Sequence, residues 1–240
     1  LQCTPIAQRP TTWLSLGVMR PAPLALVAGI VPTAGIIGAY LLSANAGNVP
    51  VCNPFWDGCA SISATGRHPP GALLFRAVEF PFSVVLAVTW YLCVTWLRSL
   101  GALSPRAARG ILLAGLIGAL ALVVYVTFLG TTTPVYSFMR RFGIYLYFLG
   151  TFVAQLWVAL AMRRAAPKWQ LGGNALFMLG CCVMPFVLGV LNIVLKSTLE
   201  NPDPPENTIE WLSSLSMQAW FLGLYAAWRR TDFRIGAEVT

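Results

Sequence analysis

Charge is what this sequence has least of. Only 10% of its 240 residues are Asp, Glu, Lys or Arg, against about 25% in an ordinary soluble domain. Too few charged side chains remain to build a normal water-facing surface, so a soluble globular fold is excluded. Histidine occurs once, as His68, and acidic residues number eight. The chain has no GxxxxGK[ST] phosphate loop, no GxGxxG after a strand, no HExxH and no CxxCH. These absences remove the motif-bearing nucleotide-binding, zinc-peptidase and c-type haem proteins, and no cofactor is expected. Nor is there a fixed-period repeat, or a matched pair of interrupted helices in two halves, which argues against a secondary transporter.

What is present is apolar. Hydrophobic residues make up 57% of the chain, and the mean hydropathy is +0.70. About 20 apolar residues cross a bilayer core as a helix. Six stretches qualify, at residues 23–43, 72–98, 109–130, 142–163, 171–196 and 210–228. None alternates as a barrel strand does, and helices satisfy every backbone group in lipid. The expected fold is therefore all-α: a polytopic membrane protein with six transmembrane helices in one bundle, and a single domain over 1–240. Breakers mark the joints at Pro69-Pro70, Pro105, Pro134, Pro167 and the NPDPPEN run at 201–207. Residues 1–23 do not read as a secretory signal peptide, so the first apolar run is expected to stay as a helix.

The formal net charge of +8 would suggest a nucleic-acid partner in a soluble chain, but here the basic residues flank apolar runs, and no nucleic acid is expected. They orient the bundle instead. With the N-terminus cytoplasmic, Arg9, Arg20, Arg98, Arg106, Arg109, Arg163, Arg164, Lys168, Arg229, Arg230 and Arg234 lie inside, 11 of the 16. Arg67, Arg76, Arg140, Arg141 and Lys196 lie outside. Both termini are then cytoplasmic, and residues 44–71 form an outer loop.

Small residues recur in the third and fifth apolar stretches, as Gly110, Gly115 and Gly118, and as Gly172, Gly173 and Gly180. Such residues let helix backbones approach closely in lipid. These helices are expected inside the bundle or against a partner subunit.

Polar residues concentrate in the outer half. Arg76 and Glu79 are three apart on one helix and can pair, either locking that helix to its neighbours or forming part of a phosphate or head-group site. Arg140 and Arg141 sit on the outer side, against the charge bias. They either snorkel to the interface or meet an anion, whether a lipid phosphate or the acidic 200–210 segment. Asn192 and Lys196 end the fifth stretch. Before the sixth, Asn207 or Thr208 could cap the helix with Glu210 in its first turn, or Glu210 could face Arg76, Arg140 or Arg141 across an outer cavity.

Within the outer loop, Cys52 and Cys59 enclose NPFWDG, which carries Pro and Gly for turns. On an extracytoplasmic face this reads as a local disulfide. Adding His68 and Asp57 would give four zinc ligands, but no CxxC or HxxxH spacing supports a metal site. Cys93, Cys181 and Cys182 read as small packing residues, and Cys3 falls in the cytoplasmic tail. His68 is a weak candidate general base, with Ser61 or Ser63 as nucleophile.

Two segments carry a resemblance. CASISATGRHPPGALLFR at 59–76 resembles the signature of the Frag1/DRAM/Sfk1 family of six-helix membrane proteins: a Ser-Ile-Ser core at Ser61, Ile62 and Ser63, a proline at Pro69 or Pro70, and an arginine at Arg76 entering the second helix. NTIEWLSSLSMQAW at 207–220 is similar to the family's sixth-helix start, matched by Glu210 and Trp211. Where eukaryotic members carry a proline before Ser-Ile-Ser, this chain has Ala60 after Cys59. The resemblance implies a role in membrane-lipid handling, the thread joining members linked to GPI-anchor remodelling, phosphoinositide kinase regulation and autophagy. The Ala- and Arg-rich composition suggests a bacterial member in the inner membrane.

The expected function is lipid binding or handling at a polar outer-leaflet pocket built from Arg76, Glu79, Arg140, Arg141, Asn192 and Glu210, with Ser61 and Ser63 above it, in a regulatory or accessory role. An accessory subunit of a larger membrane complex, with other membrane proteins as partners, is the alternative. A lipid acyl or head-group transferase using His68 is a second alternative.

Overall fold

The computed structural model describes residues 19–131 and 133–236. Arg9 and Cys3 lie outside the described residues. Seven helices form among those described: α1 (Ala22–Asn45), α2 (Ile62–Thr65), α3 (Gly71–Ser99), α4 (Pro105–Phe128), α5 (Pro134–Trp169), α6 (Gly172–Thr198) and α7 (Asp203–Arg230). All six apolar stretches are helical, and α2 is a short extra turn inside the outer loop.

Local chemistry sets the helix starts. Pro105 and Pro134 occupy the first helical position of α4 and α5, where a missing N–H costs nothing. Ser104 caps α4 by accepting from the Ala107 amide at 3.3 Å. Ser61 caps α2 in the same way through Ala64, at 3.1 Å. Two expected boundaries differ. Helix α5 runs through Pro167 to Trp169, because a proline in the last turn breaks only one bond there. Helix α7 starts at Asp203 instead of 210, because Pro204 and Pro205 fall in its first turn, whose amides need no helical partner. Glu210 therefore lies two turns into α7, and Asn207 is not its cap.

Each long helix packs against its sequence neighbour, and α7 closes the ring onto α1. Five helices (α1, α3, α4, α5 and α6) are long and apolar enough to cross a membrane. The ends of the chain decide the sixth. Met19 and Ile235 exchange two backbone hydrogen bonds, each 2.9 Å. Both ends of the bundle thus meet on one face, which requires an even number of crossings and makes α7 a span. Its low hydropathy comes from the polar residues at its two ends, Asp203, Glu206, Asn207 and Glu210 at one and Arg229 and Arg230 at the other. Gln155 of α5 donates to the Met217 carbonyl at 2.9 Å, and Asn174 of α6 donates to the Gly223 carbonyl at 3.2 Å. These polar crossbars hold α7 against α5 and α6.

Close packing uses the small residues of α4. A Cβ on Gly115 would overlap the fully buried Trp90 indole, and one on Gly118 would touch Thr151 at 3.0 Å. The α4 glycines therefore serve contacts within the chain. Those of α6 do not: a Cβ on Gly172, Gly173, Gly180 or Gly189 would meet nothing.

Candidate functional site

The outer loop is tied down residue by residue. Cys52 and Cys59 form a disulfide, with Cα atoms 6.4 Å apart. The Tyr40 hydroxyl of α1 donates toward the Cys52 carbonyl at 2.7 Å and accepts from the Cys52 amide at 2.8 Å. On the α7 side, the Asn207 side chain donates to the Gly58 carbonyl and the Trp211 indole to the Ala60 carbonyl, each at 2.8 Å. Gly58 has φ +60° and lies against the α7 backbone at Pro204, a close approach in a left-handed conformation that only glycine takes freely. The Tyr40 and Phe55 rings pack edge-on against Trp211, at centroid distances of 5.9 and 5.1 Å.

Below this loop, a cavity of about 710 Å³ opens between α5, α6 and α7. Its polar rim holds Ser63, Arg140, Arg141, Asn192, Glu206 and Glu210. Its depth is apolar, with Ile144, Phe148, Phe152 and Met217, and the exposed Phe186 stands at its α6 edge. That volume is of the size that takes a drug-sized ligand.

The cavity has a local cause in α6. Pro185 has no N–H to give the Cys181 carbonyl four residues back. The Ser216 hydroxyl of α7 donates to that carbonyl instead, at 3.0 Å, the usual repair for proline in a membrane helix. Cys182 is the last buried residue of α6. Beyond it, α6 presents Pro185, Phe186, Gly189 and Asn192 to the cavity.

The charges around the cavity are uneven in their commitments. Glu206 is paired with Lys196 at 2.7 Å. Glu210 accepts one hydrogen bond, from the Ser63 amide at 3.3 Å. Among the described residues, Arg140 and Arg141 form no ion pair and no hydrogen bond to protein. Asn192 keeps a buried Oδ1 without a partner.

Three sequence-stretch candidates fall elsewhere. Arg76 does not pair with Glu79 and does not line the cavity. Its guanidinium donates to the Leu129 carbonyl at 2.8 Å, one of the orphan acceptors at the end of α4. Glu79 points into the bundle, 4% exposed, with Oε1 unpartnered. A spacing of three permits such a pair without requiring it, and here the Leu129 carbonyl takes the guanidinium. Ser61 is spent on capping α2 and on a 3.1 Å contact with the Ser63 hydroxyl.

His68 is exposed on the loop. Among the described residues its side chain has no hydrogen bond to Ser61, Ser63 or a carboxylate, and Asp57 accepts from the Asn53 amide at 2.9 Å instead. No group of three or more His, Cys, Asp or Glu among those residues is arranged to hold a metal ion.

The sequence reading missed several interior polar residues. Thr151, Gln155 and Gln218 are buried along with Glu79, and each carries an oxygen without a protein partner. Buried acceptors of this kind are where proteins usually hold internal water. Tyr125 of α4 is buried as well and lines the cavity. Isolated polar residues inside apolar runs were the only sequence signal for them.

Residues 21–227 match the family model of the Frag1/DRAM/Sfk1/Cwh43P N-terminal domain. No curated protein and no solved structure gives a match.

Proposed function

The chain belongs to the Frag1/DRAM/Sfk1/Cwh43P family, and from that premise we propose that it binds a membrane lipid in the cavity between α5, α6 and α7. One observation carries the reading: two uncommitted arginines, Arg140 and Arg141, stand at the rim of a cavity whose depth is aromatic and aliphatic. Arginine engages phosphate oxygens through paired N–H donors. The apolar depth accommodates the glycerol end of the acyl chains, and the remainder of each chain stays in the bilayer beside α6. The α6 face beyond Pro185 is exposed and apolar, at Val187, Val190, Leu191 and Val194, as a lipid-facing wall should be. With 44–71 on the extracytoplasmic side, the site belongs to the outer leaflet, and Ser63 of that loop stands at its rim.

The reading needs no chemical step. Its test is the lipid content of the purified protein, measured by mass spectrometry after extensive detergent washing. Stoichiometric phospholipid is expected, reduced at least tenfold in an Arg140→Ala/Arg141→Ala variant. Lipid-free protein, or a double variant that retains lipid like the parent, would exclude the site.

A further inference from the structure

The cavity carries opposite charges on opposite walls. Arg140 and Arg141 come from α5, and Glu206 and Glu210 come from α7. Glu206 is already matched by Lys196 at 2.7 Å, so Glu210 is the acid with capacity left. Its only hydrogen bond among the described residues is the long one from the Ser63 amide. No ion pair crosses the cavity among those residues.

A simple anion fits this arrangement poorly. It would satisfy the arginines and leave a half-buried carboxylate facing a second negative charge, which is unfavourable in a partly desolvated site. A simple cation fails for the converse reason. From this complementarity, and resting on the lipid-binding reading above, we infer that the ligand is a zwitterionic aminophospholipid, with its phosphate on Arg140 and Arg141 and its primary ammonium on Glu210.

A second observation selects a primary over a quaternary ammonium. The same cavity offers acceptors that lack donors: the buried, unpartnered Asn192 Oδ1 of α6, and beside Glu210 on α7 the Ser213 hydroxyl. An ammonium has three N–H donors to offer them. A trimethylammonium has none. Buried acceptors left unpaired carry a penalty, so a ligand lacking donors is discriminated against. The aromatic depth argues for a lipid over a free head group, since soluble phosphoethanolamine would leave Phe148 and Phe152 uncovered.

The test is retention from a defined mixture. The full chain is equilibrated in detergent micelles with equal amounts of phosphatidylethanolamine, phosphatidylcholine and phosphatidylglycerol, and retained lipid is quantified by native mass spectrometry. Phosphatidylethanolamine is expected to be enriched about tenfold over each of the others, the scale of one charge-assisted hydrogen bond. Glu210→Gln should still retain lipid but lose the enrichment. Soluble phosphoethanolamine at equal concentration should not displace the lipid. Retention without preference, preference for the choline or glycerol head group, an unchanged ranking in Glu210→Gln, or displacement by the soluble head group overturns the inference and leaves lipid binding standing. Absence of any retained lipid overturns both. The parent protein alone decides the ranking, so the outcome does not depend on the variant folding.

Discussion

Trp211 donates its indole N–H to the Ala60 carbonyl at 2.8 Å, joining positions 151 apart in sequence. One residue earlier, Glu210 accepts from the Ser63 amide across 147 positions. The two segments that carry the family resemblance, 59–76 and 207–220, are thus one clasp between the outer loop and α7. Part of what these motifs do is structural: the indole and the carboxylate satisfy backbone groups of a loop that would otherwise be open to solvent. Glu210 also faces the cavity, so loop and site share a residue.

Trp211→Phe keeps the ring packing with Tyr40 and Phe55 and removes only the donor. The Ala60 carbonyl then loses its partner, at a cost of about 1–3 kcal/mol. Amide exchange across residues 52–66 is expected to accelerate, with little change in α3 and α4. Unchanged exchange in the loop would mean that the aromatic contacts alone hold it.

Reduction of the Cys52–Cys59 bond frees a short closed loop, so the loss is modest, about 2 kcal/mol on the chain-entropy account. Cys52→Ser/Cys59→Ser is expected to lower the melting temperature in detergent, and dithiothreitol should lower the parent's to the same value while leaving the double variant untouched.

Gly115→Ala forces a methyl into the buried Trp90 indole, and overpacking of this kind costs about 1–3 kcal/mol. Gly180→Ala meets nothing and should be neutral or slightly stabilising. Equal melting temperatures for the two variants would contradict the packing of α4 against α3.

Gly189→Leu fills the cavity from its α6 wall without touching a charge. A Cβ there contacts no atom, so the fold should be kept and the melting temperature held. Lipid retention should fall several-fold. Full retention would place the bound lipid elsewhere on the surface.

Arg76→Met removes the guanidinium that serves the Leu129 carbonyl, a charge-assisted bond worth about 1.5–3 kcal/mol. Stability is expected to drop while the lipid ranking stays the same, because Arg76 is not in the cavity. A selective loss of lipid at unchanged stability would return Arg76 to the site.

Much of the fold was legible because a bilayer demands it. Low charge, six apolar stretches and skewed basic residues leave few alternatives to a helical bundle, and the cysteine pair around NPFWDG is close enough in sequence to bridge without knowledge of the fold. Helix ends were less legible. Pro204 and Pro205 read as breakers by composition, yet they sit in a first turn where a proline is tolerated, and Pro167 sits in a last turn. The candidate site divides the same way. Arg140, Arg141, Asn192, Glu210 and Ser63 do converge on one cavity, while Arg76, three residues from Glu79, turns to the Leu129 carbonyl and Glu79 to the bundle interior.

The sequence by itself determined the solvent this protein lives in, its helical class and its covalent loop, because these depend on composition and on residues a few positions apart. The tertiary structure decided that the two ends of the bundle are joined, through the backbone pairing of Met19 with Ile235. It also decided that Pro185 passes an acceptor to Ser216 where α6 leaves the core, and that an acid of α7 stands opposite two arginines of α5. Such relations rest on which side chain reaches which distant group first, and spacing along the chain does not encode that.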